Sequence, residues 1–207
     1  MKKRIIMLRN IILSVMSFAA LYSYAAAEDV RTFVVRTDRP RQTIEHFGAS
    51  DAWSMKYIGL WPEKQQRQVA DWLFSTENDA VGKPKGIGLS IWRFNLGAGS
   101  EEQGDKAEIQ LGTRTECFLN ADGTYDWSKQ KGQIRFLQLA KEHGVPYILA
   151  FLNSPPVYFT QNGLATNTGR GGTLNLRSDC YDDFAKFMAS SIEEIEKNHG
   201  IHIDYIS

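Results

Sequence analysis

Residues 144–156 read Gly-Val-Pro-Tyr-Ile-Leu-Ala-Phe-Leu-Asn-Ser-Pro-Pro. From Tyr147 to Leu152 every side chain is apolar, without the alternation of a strand that has one wet face. Residues 145–152 are therefore expected to form a strand covered on both faces, as in a parallel sheet. Upstream, residues 127–143 place Ile134, Phe136, Leu137, Leu139 and Ala140 at helical spacing, and Gly144 stops that helix. Downstream, a loop rich in Gly, Thr and Asn runs to Leu176. Ser178 can then cap a helix lined by Tyr181, Phe184, Phe187, Met188, Ile192 and Ile195, which Gly200 ends before a further strand over 201–206.

The same alternation extends towards the N-terminus. Residues 87–96 are a strand candidate with Leu89, Ile91 and Phe94 apolar and a glycine-rich exit at Gly97 and Gly99. Before it, Pro62 suits the first position of a helix whose stripe is Val69, Ala70, Trp72, Leu73 and Phe74, with Trp72 read as core. Residues 44–47 are a strand ending at Gly48, and residues 30–35 are an isolated β-branched run ahead of the main fold. Strands alternating with helices predict an α/β fold with a parallel sheet. Four β units with three helices are half of an eight-fold barrel, and residues 28–207 fall short of the roughly 250 such a barrel takes.

The first residues read as an export signal: Lys2, Lys3 and Arg4, an apolar run over 11–21, then Ala25, Ala26 and Ala27 before Glu28. Ser14, Ser17, Tyr22, Ser23 and Tyr24 break the run, so no stable membrane anchor is expected and the protein is expected to be secreted or periplasmic. An oxidising compartment leaves Cys117 and Cys180 as either one disulfide or two buried thiols. With 24 basic and 24 acidic residues, no net field recommends nucleic acid as a partner. An aromatic content of 12% suits a surface that stacks on sugar rings, although core packing accounts for most aromatic side chains.

Parallel α/β sheets carry their sites at the C-terminal ends of the strands. Those positions here are Ser50, Asp51 and Trp53 after the first barrel strand, Arg93 and Asn95 at the second, and Asn153, Ser154 and Tyr158 after the third. Arg93 is a permanent charge in an apolar strand, which calls either for a carboxylate or sugar hydroxyl to orient or for a structural ion pair. Asp51 and Trp53 offer a hydrogen bond and a stacking platform, though a loop aspartate alone also reads as a turn residue.

Other chemistries are excluded by spacing. Gly97-Ala98-Gly99 lacks the third glycine of a dinucleotide fingerprint, since position 102 is Glu102. His46, His143, His199 and His202 have no zinc spacing, and residues 120–126 read as a tight turn and not a calcium loop, so no metal and no cofactor is expected.

Four stretches in order, Gly48-Ala-Ser-Asp-Ala-Trp53, Trp92-Arg-Phe-Asn-Leu-Gly-Ala-Gly-Ser100, Asp122-Gly-Thr-Tyr-Asp-Trp127 and Ala150-Phe-Leu-Asn-Ser-Pro-Pro156, resemble glycoside hydrolase family 30, most closely its endo-β-1,6-galactanase-like branch. The resemblance implies a (β/α)8 barrel, with residues 1–27 a signal peptide, 28–42 a strand of an accompanying β-sandwich and 43–207 about strands one to four. It implies retaining cleavage by two glutamates about 5 to 5.5 Å apart. The acid/base glutamate of the family follows the fourth strand in Asn-Glu-Pro and the nucleophile follows the seventh. Neither is matched here, and Glu101, Glu102 and Glu116 fall on loops after the second strand.

What the resemblance carries over is the substrate side. Arg93 matches the arginine that holds the nucleophile, while Asp51, Trp53, Asn95 and Asn153 match positions around the sugar at the cleavage point. Asn153 stands where many members have Trp, and the Asn-Ser-Pro-Pro form points to a β-galactan polysaccharide or oligosaccharide as substrate. The expectation is the N-terminal portion of a secreted glycosidase, inactive alone. A non-catalytic carbohydrate-binding chain and a dimerising half-barrel are the alternatives.

Overall fold

The computed structural model describes residues 32–167 and 173–207, so the expected signal peptide lies outside the described residues. The chain divides into two compact units, residues 1–43 and 44–207. In the first unit, Arg36 and Asp38 pair at 2.9 Å across a turn that Arg39 N closes on Arg36 O. Residues 32–35 form no strand, and Phe33, Val34 and Val35 are exposed. A β-branched run is only extended chain until a neighbour supplies the ladder.

The second unit is built on four parallel strands in the order β1-β2-β3-β4: Gly48–Ser50, Ile91–Asn95, Tyr147–Phe151 and Tyr205–Ile206. Between them run α1 (Met55–Ile58), α2 (Glu63–Phe74), α3 (Lys131–Glu142) and α4 (Tyr181–His199). In register, Ala49 lies beside Trp92 and Trp92 beside Ile148, and Trp92 and Ile148 are buried on the helix-covered face. Ser50, Arg93, Leu149 and Tyr205 share the opposite face, where Tyr147 meets His46 and Tyr205.

The core lies between sheet and helices. Trp92 packs edge-on to Phe74 of α2 at 5.1 Å and against Phe136 of α3 at 6.5 Å, and all three are buried. From α4, Phe187 and Ile195 join the same core.

Several boundaries differ from the expectations. The first strand is Gly48–Ser50 and not residues 44–47. Gly48 continues the chain because β2 presses on it: an added Cβ would sit 2.3 Å from Ile91 Cγ2 and 2.9 Å from its carbonyl oxygen. β2 begins at Ile91, four residues later than expected, because Ile87 N and Leu89 N donate to carbonyls at the end of α2 instead of to a neighbouring strand. Trp72 is not core: it is 56% exposed, two residues after Ala70 and two before Phe74, on the side of α2 away from the buried row of Gln66, Ala70 and Phe74. Pro62 precedes the helix as its cap residue, at φ −53° and ψ 139°. Ser178 opens a short 3₁₀ turn, Ser178–Cys180, ahead of α4 and caps nothing with its side chain. Cys117 and Cys180 are two buried free thiols, with burial pushing the Cys117 thiol up to about 12.

α3 starts at Lys131 because residues 126–130 are held otherwise. Asp126 accepts from Ser128 N at 2.9 Å, and Gln130 takes the left-handed conformation at φ 55°. α1 then crosses α3 through a glycine contact: a Cβ on Gly132 would lie 2.4 Å from Met55 O, and one on Gly59 would strike Gly132 O. Gly132→Ala is therefore expected to destabilise the fold by about 1–3 kcal/mol through backbone displacement, despite alanine's better helix propensity. Urea unfolding measures this, and a stabilised G132A would show that the two backbones do not touch.

Candidate functional site

The polar residues that follow the strands form one connected structure. Asp51 continues β1 past its last paired residue, its N–H donating to Arg93 O at 3.0 Å. Its carboxyl group is turned inward and is 1% exposed. One oxygen accepts from Asn95 N at 3.0 Å, and the other accepts from Gln133 Nε2 of α3 at 3.3 Å. The same Gln133 amide donates to Asn95 O at 3.0 Å. Asn95 Nδ2 reaches Ala52 O at 3.4 Å, and Ala52 holds a positive φ of 42°. That turn is closed by Ala52 N donating to Ser50 Oγ.

Burial dominates the electrostatics of Asp51. Loss of water pushes its carboxyl up to about 8, against the opposing pull of the Gln133 and Asn95 hydrogen bonds and the nearby Arg93 charge. At neutral pH the group is therefore largely protonated.

Above this layer lies a cavity of about 230 Å³. Trp53, Asn95 and Asn153 line it together with Ser100, Thr115 and Ser154. Residues expected from three separate strand ends thus converge on one hollow. Asn95 is 1% exposed, and its Oδ1 has no hydrogen-bond partner among the described residues. Trp53 is half-buried and Asn153 is exposed at the rim. Thr115 is fixed by Ala98 N donating to its hydroxyl and by its own N–H donating to Ser100 Oγ at 2.9 Å.

Arg93 stands apart from this cavity. Strand alternation gives the helix face to Trp92 and Phe94, which leaves the guanidinium on the other face, exposed and 3.4 Å over the Phe151 ring. Among the described residues it has no ion pair, and it acts on Asp51 only through space.

The available glutamates are committed to structure. Glu101 pairs with Lys56 at 2.8 Å, and Glu102 pairs with Lys129 while accepting from Cys117 N. Glu116 accepts from Gln130 N at 2.6 Å. Among the described residues no carboxylate lines the cavity. Larger hollows of about 700 and 510 Å³ lie along α1 and α3, the second also lined by Glu101 and Glu116 of the loop after β2.

Sequence reasoning missed Gln133, Gln130 and Thr115. A glutamine beside Ile134 on the buried stripe of α3 was the available signal, because a buried amide must be received by something. Among the described residues no cluster of side chains could hold a metal ion, and no helix is long and apolar enough to cross a membrane.

Comparison with known proteins adds identity to this geometry. The family described as O-glycosyl hydrolase family 30 matches residues 30–207. A crystal structure of a conserved exported protein from Bacteroides fragilis is 40% identical with a TM-score of 0.75, over 83% of this chain and 35% of that one. The catalytic domain of a family 30 xylanase C from Talaromyces cellulolyticus is 25% identical with a TM-score of 0.52, over 80% of this chain and 36% of that one. An exo-β-1,6-galactobiohydrolase from Bifidobacterium longum is 32% identical over 88 residues, which are 41% of this chain and 6% of that protein. The chain thus spans about a third of the length of the solved structures it matches.

Proposed function

The chain belongs to O-glycosyl hydrolase family 30, and from that premise we propose that it supplies the substrate-side wall of the sugar cleft of an exported, retaining glycosidase acting on β-1,6-linked galactan. The observation that carries the reading is the convergence of Trp53, Asn95 and Asn153 from three strand ends on one small cavity. Its chemistry suits a single sugar ring. Trp53 offers a flat apolar surface to the C–H face. The unpartnered Asn95 Oδ1 accepts from one hydroxyl, Asn153 can donate to or accept from another, and a neutral Asp51 below keeps the floor uncharged. For galactan, support comes from the Asn-Ser-Pro-Pro form at residues 153–156 and from the name of the Bifidobacterium relative. The Bacteroides structure, described as an exported protein, supports export by the signal proposed for residues 1–27.

The proposal places no catalytic carboxylate in this sequence. The two glutamates of a retaining mechanism must face each other across the scissile bond, whereas Glu101, Glu102 and Glu116 are each tied to a structural partner. The chain alone is therefore expected to bind sugar without cleaving it. Titration with β-1,6-galactobiose and xylobiose, followed by amide NMR, tests this. The expected result is weak binding that prefers galactobiose, falls about tenfold in Trp53→Ala, and is accompanied by no release of reducing sugar from β-1,6-galactan. Equal binding of xylobiose removes the galactan assignment, and unchanged binding by W53A removes the cavity assignment.

A further inference from the structure

We propose that Gln133, a helix residue outside the lining of the cavity, is the positioning residue of the sugar pocket: its one amide fixes the Asp51 carboxyl and the end of β2 in a single arrangement. The inference rests on the reading of that cavity as a sugar site. Gln133 is 1% exposed and reaches from α3 through the helix–sheet layer to the strand ends. Its Nε2 donates to two acceptors on different strands, Asp51 Oδ2 and Asn95 O. Asp51 in turn accepts from Asn95 N, so the main chain of Asn95 is gripped on its N–H by Asp51 and on its carbonyl by Gln133. Among the described residues the Asn95 Oδ1 has no partner, and Asn95 lines the cavity.

The Oε1 of Gln133 is buried without a partner as well. Leaving an acceptor unsatisfied is unfavourable. The amide nevertheless keeps the orientation that serves both acceptors, which is the expected arrangement if these two contacts determine it. Helix packing alone would be served equally by methionine or leucine at this position.

The charged groups that bear on Asp51 are few: Arg93 from β2 acts by charge, while Gln133 and the Asn95 N–H act by hydrogen bonds. A hydrogen bond to a carboxylate favours its charged form, so removing the Gln133 donor moves Asp51 further towards protonation. The residue thereby controls both where the carboxyl sits and when it ionises.

Carbon-13 NMR of aspartate-labelled protein reads this directly, with the Asp51 resonance assigned through Asp51→Asn. In Gln133→Met the side chain keeps its shape and loses its donor. The Asp51 titration is expected to move upward by on the order of one pH unit, and β-1,6-galactobiose to bind about tenfold more weakly. An unmoved titration, or equal binding by wild type and Q133M, overturns the proposal. If the titration moves while the wild type binds no sugar, the positioning role stands and the sugar reading fails. Should Q133M not fold, Gln133→Glu serves: the burial that holds Asp51 protonated also favours a protonated acid here, which can still donate, and beside a second carboxyl Asp51 must titrate differently from wild type. An identical titration in Q133E overturns the proposal equally.

Discussion

Stability of this chain is expected to fall as pH rises from about 4 to about 8, the reverse of what its surface carboxylates dictate, and Asp51→Asn is expected to flatten that slope. The folded Asp51 carboxyl titrates near 8, against an unfolded value near 3.8. Between those values the folded state holds a proton that the unfolded state has released. Raising the pH therefore favours unfolding, by up to on the order of 5 kcal/mol across the interval, with no further change above about 8. Surface groups act oppositely at the acid end. Asp126, held low by Ser128, and Glu142, held low by Arg67 and then Arg135, lose their stabilising contacts as pH falls below their unfolded values. A stability maximum near pH 4 to 5 follows. Asparagine at position 51 keeps an acceptor for Asn95 N and stays uncharged at every pH. D51N should therefore lose little at pH 5 and match or exceed wild type at pH 8. Chemical denaturation at four or five pH values measures this, and a wild-type profile that rises steadily from pH 5 to 8 would overturn the burial argument.

Truncating Phe136 is expected to be among the most destabilising single changes in the core. Its ring is fully buried between sheet and helix, beside Trp92, which is itself 1% exposed and packed on Phe74. Phe136→Ala removes the ring's apolar surface from the core and leaves a cavity that rigid neighbours fill poorly, at a cost of about 3–5 kcal/mol. Against a total stability of about 5–15 kcal/mol for a domain, this leaves F136A marginal or unfolded at 25 °C. Trp72→Ala is the matched control. Its ring is 56% exposed, so the change should stay within about 0.5 kcal/mol. Urea unfolding followed by circular dichroism compares the two, and equal losses would show that Trp72 contributes to the core as much as Phe136.

The contrast between these aromatic residues marks how far the sequence could be read. The apolar run at 147–152 and the stripes of α3 and α4 announced buried parallel strands and amphipathic helices, because burial on a helix or sheet face imposes its own period. Trp72 was misread since it lies in a dense apolar segment where several stripes can be drawn, and only the packing of α2 on Trp92 selects one. The start of β1 was misplaced for a related reason. A glycine looks like a terminator in sequence, and that Gly48 is instead a point of close approach depends on Ile91, 43 residues away.

The candidate site divides along the same line. Sequence by itself determined the alternation of strands and helices, the family motifs, and which residues follow each strand end, because these depend on local order along the chain. The tertiary structure alone decided that Trp53, Asn95 and Asn153 share a cavity, that Asp51 lies beneath it and neutral, that Arg93 turns to the other face, and that Gln133 ties the layer together. Those outcomes depend on register between strands and on desolvation by residues distant in the chain, so no local pattern encodes them.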